Sequence, residues 1–360
     1  MRLPSLIVMF CLSVCVLVPP RMAAAQSRFV GMEYEPWFPG IPGGEQYWQP
    51  RWGTPLLGTY SSSDPAVIAK HAEWLHDAGA DFILIDLANN SANAVRGNPI
   101  VGEFTQSNTR AVFAEYQRLA AAGKPHPEIA ILLGAQNDGD VRGERVVTSG
   151  ELQNEANSVY SDLVAKYPDI YFRSNGKPLL VVYLGVPAFS ASLNWDDPRF
   201  TVRWMSGFLE SQPALYRNDP KTNAFWSWMD RNPTPAHVNG QVEAVTVTQA
   251  YPGAASWLDK SGKWPAQGRD NSSGRSTFST QWDQAIKYNP QFILLNQWNE
   301  FGNRDRSSAG TGDEYTAQFS NDIEPTVELG CDPIAAVQQA VKDWKDVALP
   351  AIDCSVPAAK

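Results

Sequence analysis

Cysteine is scarce in this chain, with four among 360 residues. Cys11 and Cys15 fall in an apolar N-terminal stretch, so only Cys331 and Cys354 belong to a folded body, and a Cys-rich zinc site is excluded. Histidine is as rare. His71, His76, His126 and His237 show no His-Glu-x-x-His spacing, and no metal or other cofactor is expected. Charged residues reach only 19%, the formal net charge is −9 and no basic run occurs, which argues against nucleic-acid binding. There is no Gly-x-Gly-x-x-Gly or P-loop after an apolar run, and no Gly-x-Ser-x-Gly elbow. Nucleotide binding and Ser/His/Asp catalysis therefore have no support. Nor is any apolar stretch long enough to span a membrane comfortably.

The first residues have the organisation of an export signal. Arg2 supplies the positive charge, Leu6 to Val18 the apolar stretch and Ala23-Ala24-Ala25 a small-residue cleavage site, with Gln26 as the mature start. A secreted or periplasmic protein is expected, acting as a monomer, with no stable membrane span once residues 1–25 are removed. In that compartment Cys331 and Cys354, which flank the last helical stretch, are expected to be bridged, with Cα atoms within about 7 Å.

Hydrophobic residues make up 43% of the chain, and near-continuous apolar runs alternate with helical stretches without a dividing linker. Strands are expected at Phe29–Tyr34, Phe82–Asp86, Ile129–Leu133, Leu179–Leu184, Phe225–Trp228, Ala244–Thr248 and Phe292–Asn296. Such runs suit strands buried on both faces of a parallel sheet. Helices are expected at Asp64–Asp77, Ser107–Ala122, Glu151–Tyr167, Arg199–Gln212, Thr277–Tyr288 and Asp332–Asp346. The alternation predicts one α/β domain over residues 26–360, a (β/α)8 TIM barrel with long βα loops. An open doubly wound sheet is the runner-up. Seven strands are evident, and the eighth is expected between Thr248 and Thr277.

Active sites of such barrels lie just past the C-terminal ends of the strands. Those positions hold Glu33, Tyr34, Glu35 and Trp37; Asp86; Asn137; Tyr183; Trp228 and Asp230; Gln249 and Tyr251; and Asn296, Gln297, Trp298 and Glu300. Any one carboxylate there has a bland role open to it, such as capping the next helix. Together they suit sugar chemistry: one carboxyl protonates a leaving oxygen, a second group assists attack, and amides and rings hold hydroxyl-rich substrate. Thirteen Trp, twelve Tyr and fifteen Phe agree with this. A carbohydrate partner follows.

Several segments narrow the reading. Tyr34-Glu35-Pro36-Trp37-Phe38, Trp52-Gly53-Thr54-Pro55, Gly58-Thr59-Tyr60-Ser61-Ser62 and Asp64-Pro65-Ala66-Val67-Ile68 stand near the start. Asn296-Gln297-Trp298-Asn299-Glu300 and Ile323-Glu324-Pro325 stand near the end. In this order they resemble glycoside hydrolase family 99, the endo-α-mannosidase-like barrels, and related family 71/99-like proteins. That resemblance implies a (β/α)8 hydrolase of α-mannosides with Glu300 as catalytic acid. Gln297 departs from it, standing where the family places the Glu that assists the substrate's own 2-hydroxyl. A neutral amide cannot accept that proton. The assisting carboxylate is then Glu33, Glu35, Asp86 or Glu324, or else the barrel binds or assembles glycan without cleaving it.

Overall fold

The structure, a computed structural model, describes residues 27–38, 52–88, 99–136, 148–184, 195–207, 224–251, 267–269, 274–301 and 317–356. The N-terminal signal stretch and Asn137 lie outside the described residues. Among the described residues ten strands and five helices follow in chain order. They are β1 (Phe29–Tyr34), α1 (Pro65–Asp77), β2 (Phe82–Leu87), α2 (Pro99–Ala121), β3 (Glu128–Gln136), α3 (Ser149–Val159, running into a π turn at Tyr160–Val164), β4 (Arg173–Ser174) and β5 (Lys177–Leu184). Then come β6 (Thr201–Ser206), β7 (Trp226–Ser227), β8 (Ala236–Val238), β9 (Gln241–Thr248), α4 (Thr277–Lys287), β10 (Phe292–Asn296) and α5 (Asp332–Lys345).

Eight of these strands run parallel, in the order β7-β6-β5-β3-β2-β1-β10-β9. The sheet curls into a nearly closed TIM barrel, and the first and last strands that carry the family-like motifs are neighbours, with Phe29 level with Phe292. At the β7–β9 seam side chains take over from the backbone ladder. Thr246 Oγ1 donates to the Ser227 carbonyl, Trp226 Nε1 donates to Glu243 at 2.9 Å, and Arg203 forks onto Glu243 at 2.6 Å. Two antiparallel hairpins decorate the barrel, β4–β5 and β8–β9. Both turn on Asn-Gly: Asn175-Gly176 and Asn239-Gly240 all have positive φ, the geometry a two-residue type I′ turn requires.

Two expectations are corrected here. The stretch expected as a helix from Arg199 forms β6 instead, and this is the eighth strand that was looked for between Thr248 and Thr277. Thr201-Val202-Arg203-Trp204-Met205-Ser206 is β-branched and alternating. Arg203 disguises it, because its charge is neutralised only by the distant Glu243. Between Thr248 and Thr277, the described residues offer only an isolated bridge from Tyr251 to Gln267.

Alternation along the strands sorts the core into two. Val30, Met32, Ile83, Ile85, Ile293 and Leu295 face the helices, packing on Ile68, Leu75, Val337 and Val341. Phe82, Leu84, Leu132, Leu179, Val181, Trp226, Phe292 and Leu294 fill the barrel. The inward series ends in polar residues: Phe82, Leu84 and then Asp86; Phe292, Leu294 and then Asn296. A period of two thus delivers polar groups to the last inward layer at the C-terminal rim.

The C-terminal region is strapped to α1. Gln338 Nε2 donates to the Asp77 carbonyl at 2.7 Å, and Trp74 Nε1 donates to the Asp353 carbonyl at 2.7 Å. Cys331 and Cys354 are bridged, with Cα atoms 6.1 Å apart. Replacing both with Ser is expected to lower the unfolding free energy by about 3 kcal/mol, given the 23-residue separation. Denaturant titration of the two forms checks this; coincident midpoints would contradict it. Among the described residues no helix is long and apolar enough to cross a membrane.

Candidate active site

Pairing of β1 with both β2 and β10 brings three rim positions together. Glu33 ends the inward series of β1. Its Oε1 accepts from Trp228 Nε1 at 2.6 Å and its Oε2 accepts from Asn296 Nδ2. Asp86 ends that of β2, and its Oδ1 accepts from the Ala88 amide. Glu35 lies two residues beyond Glu33, with its backbone clamped by Asn299. The Glu35 amide donates to Asn299 Oδ1 at 2.9 Å, and Asn299 Nδ2 donates to the Glu35 carbonyl at 3.2 Å. Glu33, Glu35 and Asp86 are buried, and each offers a carboxylate oxygen within 4.8 Å of the other two. These are the residues that could hold a metal ion or another cation. Glu35 Oε2 is buried and has no hydrogen-bond partner.

Burial and mutual repulsion dominate the electrostatics. Desolvation pushes the Glu33 carboxyl well above its ordinary value and Asp86 pushes it further, against the bonds from Trp228 and Asn296. Glu35 is driven up by desolvation and then by Asp86, Glu33, Glu300 and Asp322. Desolvation likewise raises Asp86 to about 7, opposed by the Ala88 amide and reinforced by Glu300. Glu300, four residues past the end of β10, raises all three members of the trio.

A raised carboxyl favours the protonated folded state. The Asp86 contribution to stability is therefore complete below about 4, the unfolded value, and is lost as pH rises through about 7. The thermal midpoint should accordingly fall between pH 5.5 and pH 8, and Asp86→Asn should narrow that fall. A variant whose midpoint tracks the wild type across the range would contradict this assignment.

The remaining candidates divide. Gln297 is fully buried; its Nε2 donates to Glu300 Oε2, while its Oε1 has no partner. Trp37, Tyr183, Trp228 and Glu300 are half-buried, with Tyr183 and Trp228 in edge-to-face contact at 6.1 Å. Asp230 is buried beyond β7. Other residues turn away from the barrel interior. Tyr34 and Trp298 pack in the strand–helix layer, where Trp298 is fully buried against His71 and Trp74. Neither is placed to serve as a sugar platform: alternation directs Tyr34 outward, and Trp298 lies past the end of β10, where the chain has left the strand and turns the indole onto His71 and Trp74. Gln249 reaches the Pro333 carbonyl and Arg269, and Tyr251 is fully buried.

Glu324 belongs to a polar network that sequence reasoning did not foresee. His71 Nε2 meets Glu324 Oε1 at 3.1 Å, Tyr34 Oη meets His71 Nδ1 at 3.1 Å, and Tyr60 Oη donates to Glu324 Oε2 at 2.7 Å. Asn299 Nδ2 in turn donates to Tyr60 Oη at 2.9 Å, so the network ends on the residue that clamps the Glu35 backbone. Asp322 is a second such support, accepting from Trp52 Nε1 at 2.7 Å and from the Phe301 amide at 3.1 Å. Tyr60 and Asp322 lie inside or beside the family-like motifs, which was the available signal; His71 carried none.

No protein-family model matches the chain, and no curated protein matches it in sequence. Solved structures do match in fold. The GH99 endo-α-mannosidase of Bacteroides thetaiotaomicron, solved in complex with BIS-TRIS-propane, aligns over 88% of this chain and 97% of its own, with a TM-score of 0.55 at 14% identity. Another structure of that enzyme gives a TM-score of 0.54 with the same identity and coverage. The chain resembles a family 99 barrel in fold. A glycoside hydrolase-like protein agrees, with a TM-score of 0.50 at 14% identity over 92% of this chain and 97% of its own. The likeness runs along the whole barrel and carries the architecture; the side chains at the rim are this chain's own.

Proposed function

We propose that this protein is an exported glycoside hydrolase that cleaves an α-linked oligo- or polysaccharide at the C-terminal rim of the barrel. The observation that carries the reading is the convergence of Glu33, Glu35, Asp86 and Glu300 on one rim bordered by Trp37, Tyr183 and Trp228. Carboxyls held above their ordinary range are suited to donating a proton near neutral pH. Glu300 has the role of general acid toward the glycosidic oxygen, and the half-buried position gives it access to substrate. Gln297 cannot act as a base, and assistance to attack falls to the trio, with Asp86 foremost because a carboxyl raised only to about 7 is partly ionised near neutral pH. Glu33 orients the indole of Trp228 and the amide of Asn296. Glu324 acts through Tyr60 and Asn299 as a positioning residue. The endo-α-mannosidase fold supports α-mannosides as the first substrates to try, and a monomer suffices for the chemistry.

A second reading rests on one observation: the Gln297 amide is hydrogen-bonded to Glu300 where a paired carboxylate would complete the family-like pattern. On that reading the barrel holds glycan without cleaving it. Following the anomeric proton signals of α-linked mannooligosaccharides incubated with the protein separates the two. Hydrolysis predicts new reducing-end signals; line broadening with no new signals favours the binding barrel.

A further inference from the structure

We infer that the Glu33–Glu35–Asp86 trio is a subsite for a protonated amine, so that the glycan taken by this barrel carries a free amino sugar. The inference rests on the reading of the rim as a glycan site and names the substrate class within it. Three buried carboxylates stand within 4.8 Å of one another, and the charged groups acting most strongly on each are other carboxylates. Arg269, a cation on the neighbouring support, is committed to the Asp322 carbonyl and to Gln249. Among the described residues no cation bonds to the trio, and a carboxylate cluster of this kind is held together by taking up protons.

An ammonium group is compatible with the spacing of the trio, whose carboxylate oxygens lie within 4.8 Å of one another. An ammonium offers three tetrahedrally disposed donors, which place three acceptors about 4.7 Å apart when each N···O distance is about 2.9 Å. Glu35 Oε2, buried and without a partner, supplies an acceptor that nothing in the protein uses. A divalent metal fits the surroundings less well. Calcium takes about six to eight oxygen ligands. Here both Glu33 oxygens already accept, from Trp228 and Asn296, and Asp86 Oδ1 accepts from the Ala88 amide. A neutral hydroxyl or an N-acetyl group in the same place would leave the protons bound and make no charge-assisted bond to the trio. An ammonium group displaces the bound protons and makes charge-assisted bonds to three carboxylates at once.

Calorimetric titration of the whole protein at pH 7, in an amine-free, low-salt buffer, tests this. The probes are the methyl α-glycosides of glucosamine, mannosamine and galactosamine, each beside its N-acetyl counterpart. At least one amine is expected to bind about tenfold or more tightly than its N-acetyl form, and Glu35→Gln should abolish that preference. Asp86→Asn should weaken it in the same sense, which guards against a folding defect in one variant. Equal or tighter binding of every N-acetyl form, or no binding of any amine, would overturn the inference. Saturable binding of calcium or magnesium that Glu35→Gln removes would also overturn it, by assigning the trio to a metal. The readout is binding, so it stands apart from hydrolysis. An amine preference without cleavage would leave this inference standing and sink the hydrolase reading, whereas cleavage of neutral glycans without the preference does the reverse.

Discussion

Glu300→Gln is expected to lose about 10²–10⁴-fold in turnover on any α-glycoside whose leaving group needs protonation. The amide keeps the shape of the carboxyl and can still donate a hydrogen bond, but it has no proton to give up at neutral pH. Binding should survive, since the trio and the half-buried rings of Trp37, Tyr183 and Trp228 are untouched. The bond from Gln297 Nε2 also persists, because the new side chain retains a carbonyl oxygen. The loss should therefore fall on kcat rather than KM. A companion change, Gln297→Glu, sets a second carboxyl against Glu300 in the family-like arrangement. Turnover of α-mannosides should rise in that variant if the rim keeps the family geometry.

Glu324→Ala is expected to destabilise the fold by about 3–5 kcal/mol. Its side chain is fully buried and receives Tyr60 Oη and meets His71 Nε2, so truncation orphans two buried polar groups and opens a cavity. Glu324→Gln should cost less, because one carbonyl oxygen still accepts. Thermal or denaturant unfolding reads the difference directly. A catalytic role for Glu324 predicts the opposite pattern, with activity lost and stability unchanged in Glu324→Gln. Activity that falls only in step with stability would confirm its place as a support for Tyr60, Asn299 and the Glu35 backbone.

Much of the barrel was legible because parallel strands buried on both faces leave near-continuous apolar runs, as in Phe82–Leu87 and Phe292–Asn296. Thr201–Ser206 escaped because a strand that carries Arg203 into an ion pair with Glu243 has the polar spacing of a helix face when read alone. Both Asn-Gly hairpins are legible from turn chemistry, since Asn-Gly suits the positive φ that both central positions require. At the site, strand-end position located Glu33, Glu35, Asp86 and Glu300, but position does not distinguish the two faces of a strand. Tyr34 groups with its neighbours for that reason, although alternation turns it toward α1; Trp298 has the parity of the inward residues and turns outward only because the chain has left β10 after Asn296. His71 could not have been foreseen: its importance comes from contacts with Tyr34 and Glu324, separated from it by 37 and 253 residues.

If Glu300 protonates a glycosidic oxygen at this rim, its removal should matter most where the leaving group needs that proton. Comparing kcat/KM for wild type and Glu300→Gln on two α-glycosides that differ only in the leaving group tests it most directly. One carries an alcohol that leaves only when protonated, the other an activated phenol that leaves unaided. A loss of about 10²–10⁴-fold is expected on the first and a much smaller loss on the second. Equal losses on both, or undiminished turnover of the alcohol glycoside, would show that the acid lies elsewhere.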